Sequence, residues 1–192
     1  MKLRHIIREA LHSLQKQKAN QYKIREQNDS RVMDLMNQSL LESSSTDVIQ
    51  AIRNDEWEPQ NPKAFHTALN KSKHGAMLTP YSVSELSKMN LFKLNGYDIG
   101  FALKELNGEF QEIVGVFNNE PEIKGIGKEL VKASIRNGGR YLDHFDGYLS
   151  GLYHSLGFEE YKRDKFDPQY DEDGSFRAKY GPADVIYRKY AA

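Results

Sequence analysis

The chain has 192 residues, with 27 Lys plus Arg against 27 Asp plus Glu, so its formal charge is zero and no global field draws in nucleic acid or an anionic membrane. It holds no cysteine, which excludes disulfides, thiol catalysis, cysteine-based zinc sites and iron–sulfur clusters. Apolar residues make up 39% and the mean hydropathy is −0.72, so the chain is polar but able to build one core.

Leu3, Ile6, Ile7, Ala10, Leu11 and Leu14 recur at helical spacing, and the pattern continues weakly to Ile24. Arg8, Glu9 and His12 interrupt the apolar centre that a secretory signal needs, and no run reaches membrane-spanning length. Residues 1–28 carry seven basic side chains against Glu9 and Glu26; solvated faces explain this, with a basic arm touching a partner or nucleic acid as the alternative. Val32, Leu35, Met36, Leu40 and Leu41 suggest a second helical piece, and Thr46 or Asp47 could cap a third through Ile52. Residues 1–58 thus read as a helical extension, too small for its own core, that packs on the following domain or on another copy. Pro59 and Pro62 mark a linker over 59–76, and a domain follows over 77–192.

Within that domain Ser82 and Glu85 form a capping-box pattern ahead of a helix over Val83–Met89. Leu91–Leu94, Gly96–Lys104 and Phe110–Phe117 read as strands, with Asn95-Gly96 and Asn107-Gly108 as turn dipeptides. A helix over Lys128–Ile135 ends at Asn137-Gly138-Gly139, then come a strand over Tyr141–Phe145 and a helix over Tyr148–Leu156 that stops at Gly157. Phe158–Phe166 and Asp184–Tyr190 are the last strands, separated by a polar loop. The fold class is therefore α+β.

The stretch Pro121-Glu122-Ile123-Lys124-Gly125-Ile126-Gly127-Lys128 joins a strand to a helix. Two glycines there leave amide groups free at the positive end of a helix dipole, which suits a phosphate. Downstream, Leu152-Tyr153-His154-Ser155-Leu156-Gly157-Phe158 ends a helix and opens a strand. In this order and at this distance the two motifs resemble the two signatures of the GNAT acyl-CoA N-acyltransferase superfamily, over roughly residues 77–190.

The resemblance implies a mixed, mostly antiparallel central sheet flanked by helices, with acetyl-CoA as co-substrate and no metal. The amides of Ile123, Lys124, Gly125, Ile126, Gly127 and Lys128 would hold the CoA pyrophosphate. The strands over Glu112–Phe117 and Tyr141–Phe145 would splay to admit the pantetheine, and fourth-strand amides, Val116 among them, would meet the acyl end. Tyr153 would protonate the leaving thiolate, a sensible task for a phenol whose pKa is close to that of a thiol. For the general base, Glu112 fits by its strand and His144 and Asp146 by lying at the end of the fifth strand, where these two could also shape the acceptor site. A turn held by Asx hydrogen bonds, or a metal site built on Asp143, His144 and Asp146, are other readings of that cluster. The acceptor would be an amine on a small molecule or a protein; the N-terminal helices would serve a homo-oligomer or a partner protein, with no membrane and no nucleic acid involved. The expected compartment is the cytoplasm, the host's if the chain is phage-encoded.

Two positions depart from the family pattern. Glu122 stands where Arg or Gln is usual, placing a carboxylate beside a pyrophosphate, with Lys124 and Lys128 as partial compensation. Gly147-Tyr148-Leu149-Ser150 replaces the usual asparagine region. The alternative function is therefore a catalytically silent module of the same fold whose N-terminal helices mediate assembly.

Overall fold

In the computed structural model of the chain, the described residues are 23, 27, 29–38, 42, 44–73, 78–106, 108–171, 174, 177–178 and 181–191. The stripe from Leu3 to Leu14, the pair Leu40 and Leu41, and Phe176 and Tyr180 of the polar loop lie outside them. The chain divides into two compact units, Met1–Ser44 and Ser45–Ala192. In the first, residues 29–38 are helical, and Val32, Met33, Leu35 and Met36 are all exposed.

The second unit begins with helix α1 (residues 45–53). It continues through β1 (Trp57–Pro59), α2 (Pro62–Lys71), α3 (Val83–Leu86), β2 (Asn90–Leu94), β3 (Ile99–Leu106) and β4 (Glu109–Asn118). Then come α4 (Gly127–Arg136), β5 (Tyr141–Phe145), α5 (Tyr148–Ser155), β6 (Phe158–Asp164) and β7 (Val185–Tyr190). The strands form one seven-stranded sheet in the order β1-β2-β3-β4-β5-β7-β6. Every neighbouring pair is antiparallel except β4 and β5. This is the mixed, mostly antiparallel sheet flanked by helices that the sequence led us to expect.

One stretch differs from expectation. The two prolines that suggested a linker over 59–76 instead bound regular elements. Pro59 ends the edge strand β1, opposite Phe92, where a missing donor costs little. Pro62 opens α2, whose first turn is capped by the Asn61 side chain accepting from the amides of Lys63 and Ala64. Trp57 holds β1 in place by packing edge-on against Phe101 at 4.9 Å. The expected capping box is present at α3, where Ser82 and Glu85 satisfy each other's backbone amides.

Alternation along the strands gives each face of the sheet its own core. Phe101, Leu103, Ile113 and Leu142 point to a first face, where they meet Val48 and Ile52 of α1, Leu130 and Val131 of α4, and Tyr153 of α5. Ala102, Val114 and Phe117 point to a second face, beneath Phe65 and Leu69 of α2 and Leu86 of α3. In the β3–β4 ladder, Gly100 pairs with Phe117 and Ala102 with Val114, so Gly115 and Val116 share the space opposite Phe101. That extra residue is a bulge, and it bends β4 where the sheet opens.

Candidate active site

The β4–β5 ladder has a single register pair, Glu112 with Tyr141. Just before it, the amide of Arg140 donates to the carbonyl of Gln111 at 2.7 Å. The chain can enter there only through a glycine: a Cβ on Gly139 would lie 2.5 Å from Cγ1 of Ile113 and 2.8 Å from the Ser134 carbonyl oxygen. Beyond this contact the two strands part. Each remains fixed on its far side, β4 by β3 as far as Asn118 and β5 by β7 along its whole length. The result is a wedge with two firm walls, closed at Glu112 and open toward the C-terminal ends of both strands.

The glycine loop lies past the open end of β4. Asn118 braces it, donating to the Ile123 carbonyl at 2.7 Å and accepting from the Glu120 amide at 3.0 Å. Ile123 and Ile126 are 3% and 2% exposed and anchor the loop in the core of the first face. Lys124, Gly125, Gly127 and Lys128, between and after them, are exposed. Gly125 has a φ of +74°, and a Cβ added at Gly125 or Gly127 would meet no atom within 4 Å. Ile126 caps α4 without a side-chain hydrogen bond, so the N-cap side chain offers no acceptor to the first amides of the helix. Glu129 in the first turn is paired with Arg53 at 3.1 Å and Lys132 at 2.9 Å, and these cations hold its carboxyl below the usual range. Glu122 is exposed on the same loop.

Tyr153 projects from α5 into the first face. Its ring sits 5.0 Å from that of His144 and 6.0 Å from that of Phe158. Burial, with a smaller contribution from the charge of Asp143, pushes its hydroxyl up to about 12. This corrects the expectation of a pKa near that of a thiol: the phenol is firmly protonated at neutral pH.

The other expected residues fall into two groups. Glu112 faces the second side of the sheet and is bound to Lys104 of β3 at 2.9 Å. Lys104 in turn lies 6.0 Å from the ring of Tyr81. His144 instead faces Tyr153 and is 6% exposed. Its Nδ1 lies 2.8 Å from the Phe145 carbonyl oxygen, and its Nε2 accepts from Nε of the buried Arg188 at 2.9 Å. That pairing places the ring proton on Nδ1, and desolvation lowers the pKa of the imidazole. Asp146 is exposed, accepts from Arg163 and from the Ser150 hydroxyl, both at 2.7 Å, and is pulled down to about 2. Both groups at the end of β5 thus have their polar atoms engaged within the protein. Among the described residues no three His, Asp or Glu side chains gather as a metal site.

Asp143 was offered by the sequence only as part of a metal site with His144 and Asp146, not as a base. It lies on β5 two residues past the last pair shared with β4, half-buried on the same face as Glu112. Around it stand Tyr81, Tyr141, Tyr161 and Tyr187; Tyr161 packs against Tyr141 at 6.1 Å and Tyr187 at 6.4 Å. The signal was available: in Tyr141-Leu-Asp-His-Phe145, alternation puts Asp143 on the face opposite Leu142 and His144.

No protein-family model matches the chain, and no curated protein is similar to it. Solved structures are. A GNAT family acetyltransferase from Elizabethkingia anophelis with acetyl-CoA bound is 19% identical, with a TM-score of 0.40, covering 60% of this chain and 86% of that one. The IAA acetyltransferase from Bacillus cereus ATCC 14579 is 18% identical, with a TM-score of 0.43 and coverages of 69% and 95%. The ribosomal-protein-alanine N-acetyltransferase from Brucella melitensis is 15% identical, with a TM-score of 0.42 and coverages of 71% and 99%.

Proposed function

We propose that residues 45–192 form an acyl-CoA-dependent N-acyltransferase of GNAT type, transferring an acetyl group to an amine by direct attack on the thioester. The observation that carries this reading is the wedge: β4 and β5 share one register pair and then part, beside a loop whose glycines open onto empty space. The unpaired strand edges offer backbone donors and acceptors to the amides of a pantetheine arm. The pyrophosphate would rest on the amides of Ile123 to Lys128, with Lys124 and Lys128 offsetting the exposed Glu122. Amides near the bulge at Val116 would face the thioester carbonyl and stabilise the charge that develops on its oxygen. Tyr153, held neutral by burial, keeps its proton until a thiolate forms beside it.

Thermal unfolding with and without acetyl-CoA tests this. At 100 times its dissociation constant the ligand adds about 2.7 kcal/mol of stability. Gly127→Ala is the control. Its new methyl meets no atom of the protein, so the free protein should keep or slightly raise its melting temperature while the acetyl-CoA shift shrinks. No shift in wild type at millimolar acetyl-CoA sinks the reading. It would favour instead a silent module working through its N-terminal unit, to which the exposed Val32, Met33, Leu35 and Met36 lend support.

A further inference from the structure

Resting on the acyltransferase reading, we infer that Asp143 is the general base that deprotonates the acceptor ammonium. The first support is position. Asp143 sits in the wall of the wedge just beyond its closed end, where an acyl group threaded between β4 and β5 would finish. It faces the second side of the sheet, whereas Tyr153 lies on the first. An amine arriving on one face and a thiolate leaving on the other would each meet one of the two groups.

The second support is that Asp143 is uncommitted. Glu112 is held by Lys104, Asp146 and Asp184 by Arg163, and Asp164 by Lys162. Asp143 has no ion pair and no side-chain hydrogen bond among the described residues; its one recorded bond is to its own backbone. The groups that act on it electrostatically, or that it acts on, come from every neighbouring element: Tyr81, Lys104 of β3, Glu112 of β4, Tyr153 of α5, Tyr161 of β6 and Tyr187 of β7. Lys104 favours its ionised form, but Lys104 is already bonded to Glu112. Burial, and then the like charge of Glu112, raise the affinity of Asp143 for a proton. Glu112, the base expected from the sequence, closes the wedge and strengthens Asp143 in that role.

The proton balance closes. One proton of the ammonium passes to the Asp143 carboxylate, and the neutral nitrogen attacks the thioester carbonyl carbon. The C–N bond forms, and the C–S bond breaks with its electron pair going to sulfur. The thiolate takes the Tyr153 proton. The second proton lost from nitrogen returns to the tyrosinate through solvent, and Asp143 releases its own to solvent. The net products are amide, CoA thiol and one proton.

Two acceptors separate a base from a merely structural residue. 2-Phenylethylamine is an ammonium at pH 7 and needs a base, while hydroxylamine is already neutral. We expect wild type to acetylate both, read as released CoA thiol. Asp143→Asn should lose about a hundredfold or more in kcat/KM toward 2-phenylethylamine, and with it the acidic limb of the pH profile. Its rate with hydroxylamine and its acetyl-CoA melting shift should be retained, which also shows that it folds. Equal losses with both amines, no loss with either, or a wild type that binds acetyl-CoA but never acetylates 2-phenylethylamine would each overturn the assignment. Absence of an acetyl-CoA shift in wild type overturns the acyltransferase reading itself, a different failure.

Discussion

Asp143 and Asp146 are three residues apart at the end of β5, and the sheet treats them in opposite ways. Asp143 lies half-buried in the wedge with no cation of its own, and its carboxyl is pushed above the ordinary range. Asp146 lies beyond the strand, exposed, with Arg163 and the Ser150 hydroxyl on its oxygens, and is pulled down to about 2. Asp146 ties the start of α5 to β6 and the β7 entry, since Arg163 also reaches Asp184 at 3.3 Å and Glu160 at 2.9 Å. The same side chain is poised to accept a proton in one place and braces the scaffold in the other. The difference is which neighbours the fold brings to it.

Three measurements can break this contrast or sharpen it. The largest expected effect is kinetic: the hundredfold or greater loss toward 2-phenylethylamine on Asp143→Asn. A comparable loss on Asp146→Asn with hydroxylamine turnover intact would erase the distinction. The next concerns Tyr153, which feels Asp143 across the sheet. Its folded pKa of about 12 lies above the ordinary 10, so between those values the unfolded chain loses a proton that the native state keeps. Stability must fall as pH rises through that window, by about 2 kcal/mol, and Tyr153→Phe should remove that part of the alkaline decline. Denaturant melts between pH 9 and 12 would show it; an unchanged slope would mean that the hydroxyl is less buried than the structure shows.

The smallest effects have opposite signs. Ionising Asp143 costs stability, because its folded pKa is raised: the native state loses stability as pH climbs from 3.8 through that higher value. Asp143→Asn should therefore melt higher than wild type at pH 7. Asp146 has a lowered folded pKa, so its contribution is present above 3.8 and vanishes as pH falls toward 2. Asp146→Asn should melt lower at pH 7 and converge with wild type near pH 2. At 39% side-chain exposure the pair with Arg163 is screened, so a difference of under about 1 kcal/mol is expected. Equal signs for the two variants would contradict the environments described.

Much of this frame was legible in local sequence. Tyr141–Phe145 is a strand with the bounds its pattern suggests, the Ser82 and Glu85 box forms, and the glycine loop opens a helix. These features depend on residues a few positions apart, whose periodicity and capping are written in the chain. Pro59 and Pro62 misled because proline marks an edge strand or a first helical turn as readily as a linker, and only the partner strand β2 decides between them. Pairing across the sheet determined the rest. That β4 and β5 meet once and part, that Lys104 is spent on Glu112, and that Arg188 is spent on His144 are contacts between residues 8 to 44 positions apart or on strands far apart in sequence. The sequence by itself determined which residues have side chains able to exchange protons. The tertiary structure decided which of them were left free to do so, because a carboxylate's chemistry depends on its solvent and its partner, and both are supplied by other strands.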